Sequence, residues 1–220
     1  MTPTRYLLDK DETLVQKKLL HMGEMTVKAI TDAVDCMQRW DVDFAKEVVD
    51  ADANINEQQR VIEEECLVAI ATQQPVAGDL RVIVADMHIA EELERIADHA
   101  ADIAKLIIQA GDEKCTLELE NITRMADKCS SMLQQVMEAY ADRDDEQAKV
   151  IAAQDNILDK LHEDIVNYLM SEMCSDPGLV LCKTYVMWIA HNLERIGDRV
   201  TNISERIVFM MSGENLDLNR

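Results

Sequence analysis

Two stretches one hundred residues apart are near-copies of each other, and this duplication restricts the possible folds of the chain more than any other feature. Residues 93–105 read LERIADHAADIAK, and residues 193–205 read LERIGDRVTNISE. Two further pairs of segments, 22–34 with 125–137 and 52–62 with 155–165, align at an offset of 103 residues. A period this long exceeds that of a solenoid repeat. The chain is therefore predicted to contain a duplicated domain, with copies at residues 1–112 and 113–220.

Apolar residues recur three and four positions apart along most of the chain, as they do on one face of an α-helix. The 220 residues include only 6 glycines and 3 prolines, several of them in short breaks such as QQPVAGD at 73–79. Other breaks place aspartate in an N-cap position, as in RWDVD at 39–43. Between the breaks lie six predicted helices, at residues 8–38, 43–72, 79–109, 116–141, 144–173 and 179–211. The predicted fold class is all-α, with two tandem, pseudo-repeated three-helix bundles formed by six long antiparallel helices.

The charge balance excludes several classes of function. With 43 acidic and 22 basic residues the net charge is −21, which disfavours nucleic acid and anionic membrane surfaces and favours cations or basic partners. No stretch approaches the roughly 18 apolar residues that span a bilayer, and the first residues lack a signal-peptide core. The six cysteines form no C-x-x-C pair, so buried or half-buried free thiols in a reducing cytoplasm are expected. They are Cys36, Cys66, Cys115, Cys129, Cys174 and Cys182.

The third helix of the first copy has two contrasting faces. On a helical wheel its apolar residues gather on one side, which is the predicted buried seam: Ala90, Leu93, Ile96, Ala97, Ala100, Ala104 and Ile107. Carboxylates gather on nearly the opposite side, three and four residues apart: Glu91, Glu94, Asp98 and Asp102. Like charges at this spacing repel by a few tenths of a kcal/mol per pair. The pattern predicts an acidic stripe that faces away from the core of its own bundle.

The second copy repeats this stripe with oxygen or imidazole ligands, at His191, Glu194, Asp198 and Asn202. A solvated acidic face is the alternative interpretation, but it gives no reason for ligand positions to recur. Carboxylates one helical turn apart can converge on a hard or borderline cation. All eight positions are therefore candidate metal ligands, and they do not distinguish Mg²⁺, Mn²⁺, iron and Zn²⁺. A neighbouring helix must complete each site, and the sequence leaves six candidates open: Glu24, Asp32, Asp52, Asp127, Asp155 and Asp159.

Patterns typical of enzymes are missing from the sequence. No Glu-x-x-His pair of a di-iron bundle occurs, and there is no glycine-rich nucleotide loop. The histidines are not grouped with a serine or cysteine nucleophile. A phosphotransfer role for His99, beside Asp98, is conceivable, but an inert surface histidine is the commoner case. No catalytic residue and no organic cofactor are predicted.

Residues 73–105 and 187–209 together resemble the PhoU family, the accessory regulators of bacterial phosphate uptake. The first reads QQPVAGDLRVIVADMHIAEELERIADHAADIAK and the second MWIAHNLERIGDRVTNISERIVF. Each contains the family's E/D-x-x-x-D motif, here Glu94 with Asp98 and Glu194 with Asp198. The resemblance implies two pseudo-repeated three-helix bundles that bind metal ions through these motifs and catalyse no known reaction.

The resemblance also implies partners and a physiological role. PhoU-like proteins repress the phosphate-starvation response when phosphate is plentiful and restrain uptake. They connect the ATPase subunit of the phosphate ABC transporter with a sensor histidine kinase, which places this chain in the cytoplasm, peripheral to the inner membrane. Members commonly form dimers, so a homodimer is expected. A helical scaffold without metal, and a metal-dependent phosphatase or oxidase, are the alternatives.

The two motif helices differ in ways that predict unequal sites. Asn202 stands where the first copy has Asp102, and Arg199 stands where it has His99. An arginine beside a metal site weakens cation binding. The site of the first copy is therefore expected to bind a cation more strongly.

Overall fold

The computed structural model describes residues 3–111 and 119–219, with side chains over 11–111 and 120–219. Within these ranges every regular element is helical. The helices are α1 (Pro3–Arg39), α2 (Val42–Gln73), α3 (Gly78–Ala110), α4 (Leu119–Asp142), α5 (Asp145–Ala152), α6 (Asp155–Ser175), a 3₁₀ turn (Pro177–Leu179) and α7 (Val180–Ser212). The all-α prediction is confirmed. The predicted boundary after residue 112 falls outside the described residues and stays a prediction.

The same turn joins α1 to α2 and α4 to α5, as a duplicated domain requires. Asp41 caps α2 by accepting a hydrogen bond from the Phe44 amide at 3.0 Å. Asp144 caps α5 in the same way, accepting from the Gln147 amide at 2.9 Å. The residue before each cap lies in the left-handed region, with φ of 54° at position 40 and 55° at position 143. Each aspartate satisfies an amide that the first helical turn leaves without a partner.

The fifth predicted segment, 144–173, consists of two helices separated by a turn at Ala153 and Gln154. The Gln154 side chain is held from two directions by α4. It accepts a hydrogen bond from Lys128 Nζ and donates one to Gln135 Oε1 at 3.2 Å. The break is therefore fixed by contacts between helices, and Asp155 becomes the first residue of α6.

Helices α3 and α7 form the centre of the molecule and pack against each other more extensively than any other pair. They are antiparallel, since Arg199 Nη1 lies 3.5 Å from Glu92 Oε2 while Asn192 Oδ1 lies 3.0 Å from His99 Nδ1. Positions 92 and 192 are equivalent in the repeat, as are 99 and 199. Exchanging the two repeats therefore converts one contact into the other. This places a pseudo-twofold axis between the two helices.

The core consists of the apolar seams predicted from the helical wheel. All seven seam residues of α3 are buried, and Leu193 and Ile196 of α7, which are equivalent to Leu93 and Ile96 in the repeat, are fully buried as well. Alanines on α3 allow close helix packing, and the apolar area removed from water stabilises the bundle by about 25 cal/mol per Å². Within the described ranges, no helix is long and apolar enough to cross a membrane.

A buried polar contact ties α3 of the first repeat to α4 of the second. Tyr140 Oη donates to Asp86 Oδ1 at 2.7 Å, and Asp86 is 1% exposed. Burial, and to a smaller extent the charge of Glu12, raises the pKa of Asp86 to about 7. The Tyr140 hydrogen bond and the charge of Arg143 oppose the shift. The folded state therefore favours the protonated carboxyl at this position.

The cysteines depart from the prediction at two positions. Cys36, Cys66 and Cys129 are buried free thiols, as predicted, and burial raises the pKa of Cys36 and Cys66 to about 12. Cys174 is free but exposed, because it lies in the last turn of α6 at the end of the bundle. Cys182 is disulfide-bonded, so the prediction of a free thiol is wrong there. Cys115 lies outside the described residues.

Candidate functional site

In the first repeat, a carboxylate of α2 lies beside the motif pair of α3. We call Asp52, Glu94 and Asp98 the repeat-1 cluster. Burial raises the pKa of Asp52, and the charge of Asp98 raises it further. Burial also raises the pKa of Glu94, followed by the charges of Asp98 and Asp52. Asp52 Oδ2 accepts from Asn56 Nδ2 at 3.0 Å, whereas its buried Oδ1 has no hydrogen-bond partner among the described residues. The cluster therefore concentrates negative charge that a cation would neutralise.

The second repeat contains the equivalent group with one more acid. The repeat-2 cluster is Asp155, Asp159, Glu194 and Asp198, and Asp159 replaces the Asn56 of the first repeat. Asp155 is 9% exposed, and its Oδ1 has no hydrogen-bond partner within the described ranges. Burial, and then the charges of Asp159, Asp198 and Glu194, raise the pKa of Asp155 to about 7. Burial and then the charge of Glu194 also raise the pKa of Asp198.

A glycine of α7 positions Asp155 in its cluster. A Cβ at Gly197 would lie 2.4 Å from Asp155 Oδ1 and 2.5 Å from Leu158 Cδ1, so α6 packs directly on the glycine backbone. The first repeat has Ala97 at the equivalent position. There Asp52 is half-buried rather than buried. The repeat that lacks the alanine methyl group is therefore the one in which the aspartate is more deeply buried.

The arginine beside each motif glutamate takes a different partner in the two repeats. Arg195 Nε and Nη2 lie 2.8 and 3.0 Å from the two Glu194 oxygens, and its Nη1 lies 2.8 Å from Asp198 Oδ2. Arg95 instead places Nη2 2.6 Å from Glu91 Oε1. The repeat-2 motif pair is therefore bridged by a guanidinium, whereas the arginine of the first repeat is paired with Glu91, about two turns away from Asp98.

Four of the eight predicted ligand positions fall in the two clusters, namely Glu94, Asp98, Glu194 and Asp198. On α3, Glu91 is paired with Arg95, and Asp102 is paired with Lys105 at 2.7 Å between Nζ and Oδ1. The charge of Asp102 still raises the pKa of Asp52, so Asp102 lies at the edge of the repeat-1 cluster.

Of the other two positions of α7, His191 lies beside the repeat-2 cluster and Asn202 points away from it. His191 has its Nδ1 3.7 Å from Glu194 Oε2, and its ring packs near Trp188 and His162. Asn202 Nδ2 donates to Glu92 Oε2 at 3.2 Å, across the contact between the two repeats. Asn202 therefore does not face the repeat-2 cluster, because its side chain is hydrogen-bonded to α3.

The orientation of the stripe differs between the two repeats. On α3, Asp98 and Asp102 are exposed, as the wheel predicts, whereas the motif carboxylates of α7 are largely covered by the neighbouring helix α6. Glu194 and Asp198 have side-chain exposures of 13% and 21%, which a freely solvated face would not give. The helical wheel placed the carboxylates on one face of each helix. It could not show that a neighbouring helix covers the edge of that face.

Of the six open candidates for completing the sites, Asp52, Asp155 and Asp159 lie beside the motif pairs. Glu24 and Asp32 are paired along α1 with His21 and Lys28, although Asp32 also lines the same cleft as Asp52. Asp127 is exposed on α4. The signal in the sequence was the repeat itself, since Asp52 and Asp155 align at the offset of 103 residues. As placed, no three histidine, cysteine, aspartate or glutamate side chains in the described parts of the chain form a group that could hold an ion.

Comparison with known proteins assigns the chain to a family. The PhoU domain model matches residues 19–107 and again residues 122–207, one match in each repeat. The chain belongs to the PhoU family. It is 35% identical to a phosphate-specific transport system accessory protein PhoU homolog of Clostridium acetobutylicum, over 98% of this chain and 99% of the relative. The PhoU protein of Escherichia coli strain K12 is 31% identical over 91% of this chain and 83% of its own length.

Two crystal structures of PhoU proteins share the architecture. The phosphate transport system regulatory protein PhoU from Streptococcus pneumoniae superposes with a TM-score of 0.89 at 27% identity, covering 96% of this chain and 99% of that one. PhoU from Pseudomonas aeruginosa gives a TM-score of 0.89 at 30% identity, covering 94% and 99%. The similarity to PhoU therefore extends over both repeats and their packing.

Proposed function

We propose that this protein is a negative regulator of phosphate uptake and of the phosphate-starvation response. It would act as a metal-binding adaptor between the ATPase subunit of a phosphate ABC transporter and a sensor histidine kinase. The observation that carries the proposal is the match to relatives named as accessory proteins of phosphate-specific transport, which spans 98% of this chain for the Clostridium acetobutylicum homolog. The molecule is proposed to work by binding, and no catalytic residue is assigned.

The two carboxylate clusters support the metal-binding part of the proposal. Each combines a motif pair one helical turn apart with an aspartate from the neighbouring helix, and oxygen donors of this kind suit Mg²⁺, Mn²⁺, iron and Zn²⁺. Burial, and then the repulsion between neighbouring carboxylates, raises the pKa of Asp52 and of Glu94, and a bound cation would offset both effects. The carboxylates would have to rotate towards the ion, because they do not converge as placed.

Calorimetric titration with Mn²⁺ tests this part directly. The double substitution Glu94→Ala, Asp98→Ala should remove the tightest binding step, because it removes two of the three acids of the repeat-1 cluster. The matched control is the double substitution Asp43→Ala, Glu47→Ala, which removes two exposed acids of the same spacing from α2 and should leave binding unchanged. If both double variants bind Mn²⁺ like the wild type, the motif has no part in metal binding.

The acidic surface supports the choice of partners. A net charge of −21 favours docking against basic patches, and bound cations would change the charge that the adaptor presents. The proposed location is the cytoplasm, at the membrane through these partners, and the proposed assembly is a homodimer. Co-purification of the transporter ATPase and the kinase with this chain tests the adaptor role, and capture of neither in phosphate-rich cells would contradict it.

The alternatives predict different results. A structural scaffold would bind neither Mn²⁺ nor the two partners. A metal-dependent phosphatase or oxidase would turn over a phosphate ester or Fe²⁺ once loaded with metal, whereas the adaptor proposal expects no turnover in either assay. Measured together with the titration, these assays separate the three functions.

A further inference from the structure

We propose that residues 91 and 191 decide which cluster is open to a cation. Glu91 pairs with Arg95, so that this arginine does not bridge Glu94 and Asp98, whereas His191 leaves Arg195 between Glu194 and Asp198 as an internal counter-cation that a metal ion must displace. This inference rests on the metal binding proposed above and adds an order to it, in which the first repeat binds before the second.

The guanidinium in the second repeat occupies the position between its motif carboxylates. Arg195 makes three contacts of 2.8 to 3.0 Å with Glu194 and Asp198, which satisfies both oxygens of the glutamate. These carboxylates are largely buried, so the pairing is screened less than a pair on an open surface. Beside them, the buried Asp155 Oδ1 remains without a hydrogen-bond partner in the described structure. The cluster thus holds a cation of its own, and one further acceptor is unsatisfied.

The first repeat has the same arginine but a different competitor for it. Arg95 Nη2 lies 2.6 Å from Glu91 Oε1, four residues earlier on α3. Lys105 and Lys28 also lie near this cluster, and they are paired with Asp102 and Asp32. At the position of Glu91 the second repeat has His191, and an imidazole carries no negative charge in either protonation state, so it cannot form an ion pair with Arg195. One acid therefore accounts for the different pairing of two equivalent arginines.

The cost of displacing Arg195 sets the expected size of the effect. Ion pairs of this partly exposed kind each contribute a modest free energy, and two of them together correspond to roughly a tenfold change in affinity. Wild-type protein should therefore bind Mn²⁺ in two steps, with the repeat-2 step the weaker. The substitution His191→Glu should strengthen that step roughly tenfold, and Glu91→His should weaken the repeat-1 step by a similar factor.

The test is calorimetric titration of the full-length chain with Mn²⁺. Each swap is measured in a background that leaves one cluster, Glu94→Ala, Asp98→Ala for the second repeat and Glu194→Ala, Asp198→Ala for the first. His191→Gln is the matched control, because it removes the imidazole without supplying a carboxylate, and it should change the repeat-2 step much less than His191→Glu does. Thermal melts monitored by circular dichroism establish that each variant is folded.

A double-mutant cycle separates capture of the arginine from direct metal ligation by the new glutamate. Arg195→Gln alone should strengthen the repeat-2 step, and His191→Glu should then add little. The equivalent substitution Arg95→Gln should change the repeat-1 step much less than Arg195→Gln changes the repeat-2 step. If the wild type binds Mn²⁺ but both swaps leave its two steps unchanged, or if His191→Glu acts equally with and without Arg195, this inference alone is overturned. No Mn²⁺ binding in any variant would overturn it together with the proposed metal binding.

Discussion

The close approach of α6 to Gly197 makes Gly197→Ala a quantitative test of how the second repeat is built. The new Cβ would lie 2.4 Å from Asp155 Oδ1 and 2.5 Å from Leu158 Cδ1, both inside contact distance. Alanine gains about 1 kcal/mol of helix propensity over glycine, whereas overpacking of this kind costs about 1–3 kcal/mol. Because both neighbours must move, we expect a net loss of about 1–2 kcal/mol in the free energy of unfolding.

Urea unfolding followed by circular dichroism measures this loss, and Gly23→Ala is the matched control. Gly23 also lies inside a long helix, but its nearest neighbour is the flexible Met137, with Cγ at 3.0 Å, beside an open cleft of about 450 Å³. The control should be neutral or stabilising by up to about 1 kcal/mol. If Gly197→Ala is as stable as the control, the glycine does not govern the packing of α6 on α7.

Three further predictions concern the core, pH and thiols. Leu193→Ala, at a fully buried position of α7, should lower the free energy of unfolding in urea by about 2–5 kcal/mol, and a loss below about 1 kcal/mol would contradict the central packing. The pKa of Asp86 is raised to about 7 on folding, so the folded state binds a proton that the unfolded state releases and stability falls as pH rises from about 4 to about 7. Asp86→Asn should therefore reduce the loss of stability between about pH 5 and about pH 8, and an unchanged pH profile would refute this assignment. Of the four free thiols in the described residues, only Cys174 should react rapidly with a thiol reagent in the native protein, while Cys36, Cys66 and Cys129 should react only on unfolding.

The sequence predicted those features that local chemistry determines. Apolar spacing located the seam that contains Leu93 and Ile96, and the aspartates of RWDVD at 39–43 located the cap at Asp41. The duplicated motif placed Glu94 with Asp98 and, one hundred residues later, their equivalents. Each of these features depends on residues within about two helical turns, or on a comparison of the chain with itself.

Features that depend on packing between helices could not be predicted. The break before Asp155 follows from the contacts of Gln154 with α4, which no spacing within residues 144–173 reveals. Asp52 was one of three open candidates in its repeat until α2 was seen to lie against Asp98. Which acids pair with Arg195 depends on side-chain geometry across one helical turn. Arg95 and Arg195 occupy identical wheel positions, so the sequence did not indicate that their partners differ.

Deletion of the gene in its host tests the central claim most directly, with alkaline phosphatase expression measured in phosphate-rich medium. The proposed regulator predicts constitutive expression in the deletion strain and restored repression when the wild-type chain is supplied. A chain carrying Glu94→Ala, Asp98→Ala, Glu194→Ala and Asp198→Ala should not restore repression if the clusters serve the regulatory role. A normal phosphate response in the deletion strain would contradict the account.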